Sequence, residues 1–208
     1  MLPVPLIFTS GVASGVNSYA TVLLLGLIGK YGHITSIPTV LERPNILIAA
    51  GVLYVGQFVA GKIPIVDSVW DLIHTALRPV VGGAIGVVMS HYVHGSQTAT
   101  IAAAALGAGS ALVSHTVKTG VRIGINASPE PFSTIIASLM EDAGVAALVS
   151  YAVFHPVRAA EIAGAALAVG VVLLVLLAST IRSVLRRRRE NRFGQRSMRD
   201  RLAGSGSR

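Results

Sequence analysis

His115, Lys118 and Arg122 stand at i, i+3 and i+7, which puts an imidazole and two cations on one helical face. The linker SPEP (128–131) then breaks the chain, and Ser133 can cap the helix that follows. Glu141 and Asp142 come about two turns into that helix. An ionised side chain at mid-bilayer costs roughly 2.5–3.5 kcal/mol, so carboxylates in apolar surroundings must face protein, water or a basic partner. Such a set can hold a charged substrate or relay protons. Its plainer use is an ion-pair set that fixes helix packing and topology. The short proline-bearing connection makes the flanking helices antiparallel neighbours. It predicts Glu141 or Asp142 close to Lys118 or Arg122.

A second group lies in GKIPIVDSVWDLIHTALRPVVGGAIG (61–86). Val66, Trp70, Ile73 and Leu77 share one helical face, while Asp67, Asp71, His74 and Arg78 share another. This predicts an amphipathic helix over 67–78, interfacial or re-entrant, separated from the next span by Pro79. Together with Lys62 it reads either as a gate or lipid-headgroup site, or as an interfacial helix with Trp70 as anchor and solvated charges. A third group, Asn17, Ser18, Tyr19 and Thr21, sits between Gly15 and Gly26 inside the first apolar span. Polar groups with glycine allow helix unwinding and cavity lining, and equally allow close interhelical packing. His91 and His94 have a metal-compatible spacing, but no carboxylate or cysteine adds a clear third ligand, so no metal site is expected.

The elements that must position these groups are apolar. Hydrophobic residues make up 52% of the chain and charged residues 12%, about half of the usual share in a soluble domain. Apolar spans lie near 5–28, 45–60, 80–94, 98–117, 133–154 and 160–181. The last, IAGAALAVGVVLLVLLASTI (162–181), has the ~20 residues needed to cross a bilayer. The expected fold is therefore an all-α polytopic transmembrane bundle of about six spans. The Ser14-x-x-x-Ser18 and Ser110-x-x-x-Ser114 pairs make a 3+3 inverted repeat one plan to test. Small residues from Ala102 to Ala111, with Gly107 and Gly109, read as a tight helix interface. The opening MLPVPLIF lacks a basic residue, so the first span is expected to be retained rather than cleaved as a signal.

Residues 1–181 carry seven Lys/Arg and seven Asp/Glu, whereas 182–208 carry ten Arg against Glu190 and Asp200. Cationic residues that follow a span mark the cytoplasmic side. Residues 1–181 are thus expected as one membrane domain and 182–208 as a basic, disordered cytoplasmic tail. With six spans, both ends are cytoplasmic. The tail suits anionic lipid, at ~1 kcal/mol per basic residue near the surface, better than nucleic acid.

The two charged segments, with SLMED (138–142), resemble a bacterial family of small multi-pass membrane proteins whose shared domain has no assigned function. The resemblance covers roughly residues 8–156 and leaves the last span and the tail outside. Lys62, Pro64, Asp67, Arg78, Pro79, Lys118, Arg122, Glu141 and Asp142 match the family pattern. Where members read Glu-x-x-x-Asp-Lys before Ile-Pro, this chain has Gln57 and Gly61 before Lys62. The resemblance implies a bacterial cytoplasmic membrane and supplies no activity.

The functional expectation is therefore built on residues alone. It is a transporter-like or lipid-handling protein whose charged intramembrane site draws on Lys62, Asp67, Asp71, Arg78, His115, Lys118, Arg122, Glu141 and Asp142. The competing expectation is a non-transporting scaffold or accessory subunit. No P-loop, dinucleotide fingerprint, nucleophile elbow or cysteine is present, so neither an enzyme nor a cofactor is expected. The expected partners are membrane lipids, with a homo-oligomer left open.

Overall fold

The computed structural model describes the backbone of residues 3–60, 64–126 and 131–205, and the side chains of 3–59, 74–122, 135–180 and 182–183. Among the described residues six α-helices follow one another: α1 Val4–Gly32, α2 Pro44–Ala60, α3 Pro64–Tyr92, α4 Gln97–Asn126, α5 Pro131–Phe154 and α6 Pro156–Ser205. A single 3₁₀ turn, Thr39–Glu42, lies between α1 and α2. Four of these helices open on proline, whose fixed φ and missing N–H suit a first helical turn. α4 opens instead on Ser96, whose Oγ accepts the Ala99 N–H at 3.2 Å. The fold is an all-α membrane bundle, with α1, α4, α5 and the first half of α6 each long and apolar enough to span a bilayer. The apolar part of α2, Pro44–Val59, is shorter.

The chain divides into two compact units, Met1–Ala168 and Val169–Arg208. In the first, α1 is the most buried span, with α2, α3, α4 and α5 arranged around it. Helix backbones approach closely where glycine removes a side chain. A Cβ on Gly15 would lie 2.3 Å from the Ala111 carbonyl oxygen, and one on Gly107 would lie 2.2 Å from that of Gly82. These contacts join α1 to α4 and α3 to α4, as the small-residue stretch predicts. Gly109 faces open space instead. In the second unit, Val169, Val172, Leu173, Val175 and Leu176 are all exposed, the surface of a helix solvated by lipid. The helix continues to Ser205, through the segment that the sequence predicts as disordered. Arg, Glu, Gln, Met and Leu are good helix formers, and extending an existing helix needs no new nucleus.

Two expectations about 67–86 are corrected. Pro79 does not separate two helices; it lies inside α3. Membrane helices tolerate such a proline because neighbours re-satisfy the freed backbone groups. The helix also does not carry solvated charges over its whole polar face. His74 and Arg78 are buried, Arg78 completely, while Leu77 on the apolar face is exposed. In lipid the usual amphipathic logic inverts, and polar side chains turn toward protein.

Candidate functional site

The site is organised by a break in α1. Asn17 has extended backbone angles (φ −148°, ψ 98°) in the middle of the span. Its side-chain Oδ1 accepts the Ala20 N–H at 3.0 Å, so it caps the second half of α1 as an N-cap residue does. A break leaves the last carbonyls of the first half-helix without their i+4 donors. Side chains supply replacements. Ser18 Oγ donates to the Ser14 carbonyl at 2.8 Å, Arg78 Nη1 to that of Gly15 at 3.1 Å, and Lys118 Nζ to that of Val16 at 3.1 Å. Ser114 Oγ also donates to the Val12 carbonyl at 2.8 Å. The C-terminal end of a half-helix carries partial negative charge, so two cations there are well placed, at about 0.3–1 kcal/mol each when exposed and more when buried.

The acids of α5 face this break from the other side. Asn17 Nδ2 donates to Asp142 Oδ1 at 2.8 Å. Glu141 receives Arg122 in a fork, Nε to Oε1 at 3.0 Å and Nη2 to Oε2 at 2.9 Å. Lys118 Nζ lies 3.1 Å from Glu141 Oε2. The side chains of Lys118 and Arg122 are each 6% exposed and that of Glu141 is 21% exposed. Glu141 therefore joins both cations of α4 and is the most open member of the trio.

A third layer ties in α3. Arg78 Nη1 lies 2.6 Å from His115 Nδ1. Arginine stays protonated in proteins, so Nδ1 must be the bare, accepting nitrogen. The proton of a neutral His115 then sits on Nε2 and is donated to Thr75 Oγ1 at 3.0 Å. His74 Nε2 and the Tyr19 hydroxyl are 2.9 Å apart, with the rings edge to face. Gln57 on α2 is buried, and its Oε1 has no hydrogen-bond partner among the described residues.

Of the sequence-predicted residues, the structure gathers Arg78, His115, Lys118, Arg122, Glu141 and Asp142 around Asn17. Lys62 lies outside the described residues. Asp67 and Asp71 lie on α3, and their side chains lie outside the described ones. The candidate set omits Asn17, Tyr19, Thr75 and Ser114, which the structure adds. Asn17, Ser18, Tyr19 and Thr21 share a polar run between Gly15 and Gly26, and of its two readings the break shows unwinding. Among the described residues no three His, Asp or Glu side chains converge as a metal site. His94 and His33 instead occupy left-handed backbone positions.

Beside the trio lies a cavity of about 530 Å³, within the range of ligand pockets. Its walls come from α1, α4, α5 and the start of α6. Val12, Val117, Val145, Leu148 and Leu167 give it an apolar surface, with Lys118 and Glu141 as its charged lining residues.

The chain matches a domain of unknown function, DUF4126, over residues 4–178, and it belongs to that family. The match reaches beyond the 8–156 expected from the sequence and takes in most of the last span. No curated protein and no solved structure matches the chain.

Proposed function

We propose that this member of the family is a transporter-like, lipid-handling membrane protein that binds the polar part of its substrate inside the bilayer. The observation that carries this reading is the break at Asn17. There, half-helix carbonyls, three cations and two carboxylates converge beside a cavity. Broken helices with charged groups at their inner ends are a recurrent way to build a midplane substrate site. A bundle that needed only stability would do as well or better with apolar packing at these positions. We place the protein in a bacterial cytoplasmic membrane with both ends inside and the arginine-rich tail against anionic lipid. Catalysis and a cofactor form no part of the proposal.

The scaffold reading keeps one observation in its favour. Lys118 and Arg122 already meet Glu141, as they would in a static ion-pair set. Native mass spectrometry of the purified full chain separates the two. A co-purifying lipid or small polar ligand, lost in Glu141→Gln, supports the substrate site. A ligand-free spectrum identical for both proteins supports the scaffold.

A further inference from the structure

The cavity beside Glu141 has a length and a polarity as well as a volume. Along α5 its lining runs from Ala137 to Leu148. Eleven residues of helix rise ~16 Å, about half of the ~30 Å hydrocarbon thickness. Its charged pair, Lys118 and Glu141, lies toward the Ala137 end, with Glu141 near the middle of α5 and Lys118 toward the end of α4. From Gly144 onward the α5 lining is Gly144, Val145 and Leu148, opposite Ala163, Ala166 and Leu167 of α6. An ionic end and an apolar remainder are the polarity of an amphipathic lipid whose headgroup is held inside the bilayer.

The charged end narrows the headgroup. Among the described residues one cation and one anion line the cavity. An ionised carboxylate offers about four acceptor positions. Among the described residues three donor contacts reach Glu141, namely Arg122 Nε at Oε1, and Arg122 Nη2 and Lys118 Nζ at Oε2. One position on Oε1 remains on a side chain that is open to the cavity. A primary ammonium can donate there, and a phosphate one short linker away can face Lys118. A quaternary ammonium has no N–H to donate. An anionic glycerol headgroup brings a phosphate without the cation that Glu141 favours.

We propose that the cavity holds one acyl chain of an aminophospholipid, with its ammonium on Glu141 and its phosphate toward Lys118. This rests on the substrate-site reading above and names its ligand class. The test uses the full chain in vesicles of phosphatidylethanolamine and phosphatidylcholine. A trace of phosphatidylethanolamine carries a photoreactive diazirine in its acyl chain. Cross-links should concentrate on peptides holding Val145, Leu148, Ala163 and Leu167. Gly144→Trp should lower them at least fivefold. Gly144 has open space at its Cβ, so the indole can fill the cavity without a backbone clash. Gly109→Trp, also in open space but outside the lining, should leave them unchanged. Thermal unfolding must be the same in all three proteins. If Gly144→Trp melts early, Gly144→Leu takes its place. The same diazirine chain on phosphatidylglycerol should label the cavity several-fold less, and Glu141→Gln should erase that preference. Equal labelling by the two lipids overturns the headgroup assignment. Labelling that ignores a folded Gly144 variant overturns the lipid assignment. In that event, a small polar ligand retained by the wild type and lost in Glu141→Gln leaves the substrate site standing. With no such ligand, both readings fall.

Discussion

Replacing Glu141 by Gln should destabilise the bundle more than replacing either of its cationic partners. Glu141 makes the two bonds of an arginine fork and a third contact to Lys118. Both cations have side chains only 6% exposed, so losing the carboxylate charge leaves two nearly buried charges facing a neutral amide. Breaking a buried pair costs roughly 3–5 kcal/mol. Glu141 is itself 21% exposed, which places the expected cost near the lower end, about 3 kcal/mol. Arg122→Gln removes the fork but leaves Glu141 its contact with Lys118. That loss is nearer a charged hydrogen bond, about 1.5–3 kcal/mol. Lys118→Gln keeps a donor for the Val16 carbonyl and leaves the fork intact, so it should cost least. In the double variant Arg122→Gln/Glu141→Gln, the two losses overlap. The coupling should fall between about 0.5 and 3 kcal/mol. A Lys118/Glu141 charge swap should restore only part of the loss, because the new lysine would then face Arg122. The assay is denaturant unfolding of the purified full chain in mixed micelles, followed by far-ultraviolet circular dichroism. Equal costs for all three single variants, or strict additivity in the double, would show that these groups are independently solvated.

Other variants probe the break and the packing. Asn17→Ala removes the cap on Ala20 and should cost about 0.5–2 kcal/mol, whereas Asn17→Asp should cost more by setting two carboxylates together; unfolding midpoints compare them. Gly107→Ala should sharply lower the yield of folded protein, because its Cβ meets the backbone of Gly82, while Gly51→Ala, in open space, should be silent; size-exclusion profiles of both check this. Truncation after Asn191 should leave insertion and the melting temperature of the remainder nearly unchanged, since 169–208 forms its own unit; a large drop in melting temperature refutes it. A cysteine placed at Ser96 in this cysteine-free chain should label from the outer face only; labelling confined to the cytoplasmic face overturns the six-span topology.

Much of the fold is legible in the sequence because the solvent sets its pattern. Long apolar runs can only be helices in lipid, and proline marks four of the helix starts. The proximity of Lys118 and Arg122 to Glu141 follows from the short SPEP connection and the cost of a lone charge in a membrane. What the sequence hides is orientation. The segment 67–78 has two faces, and the pattern alone does not say which one meets protein. Pro79 likewise has a helix-breaking meaning in water that lipid overrides. Asn17 is harder still. Its neighbours Gly15, Ser18 and Thr21 suit both a break and a close-packed seam, and only the distant Arg78, Lys118 and Asp142 decide between them.

That division of labour bears on how the site works. Asn17 uses its carboxamide twice, with Oδ1 holding the start of one half-helix and Nδ2 holding Asp142. Lys118 also acts twice, on the end of the other half-helix through the Val16 carbonyl and on Glu141. The geometry of α1 is thereby tied to the charge state of α5. In the proposed complex, a ligand ammonium that takes part of the Glu141 carboxylate weakens its hold on Lys118. The lysine then leans further on the Val16 carbonyl, or it follows the ligand's phosphate and releases that carbonyl. Either change alters the balance at the break, where two half-helices can reorient about one non-helical residue. A static ion-pair set needs no such link to a broken span, since a continuous α1 would satisfy its own carbonyls. The joint presence of the break, the shared lysine and the adjoining cavity is what favours a site that responds to an occupant over one that merely braces the bundle.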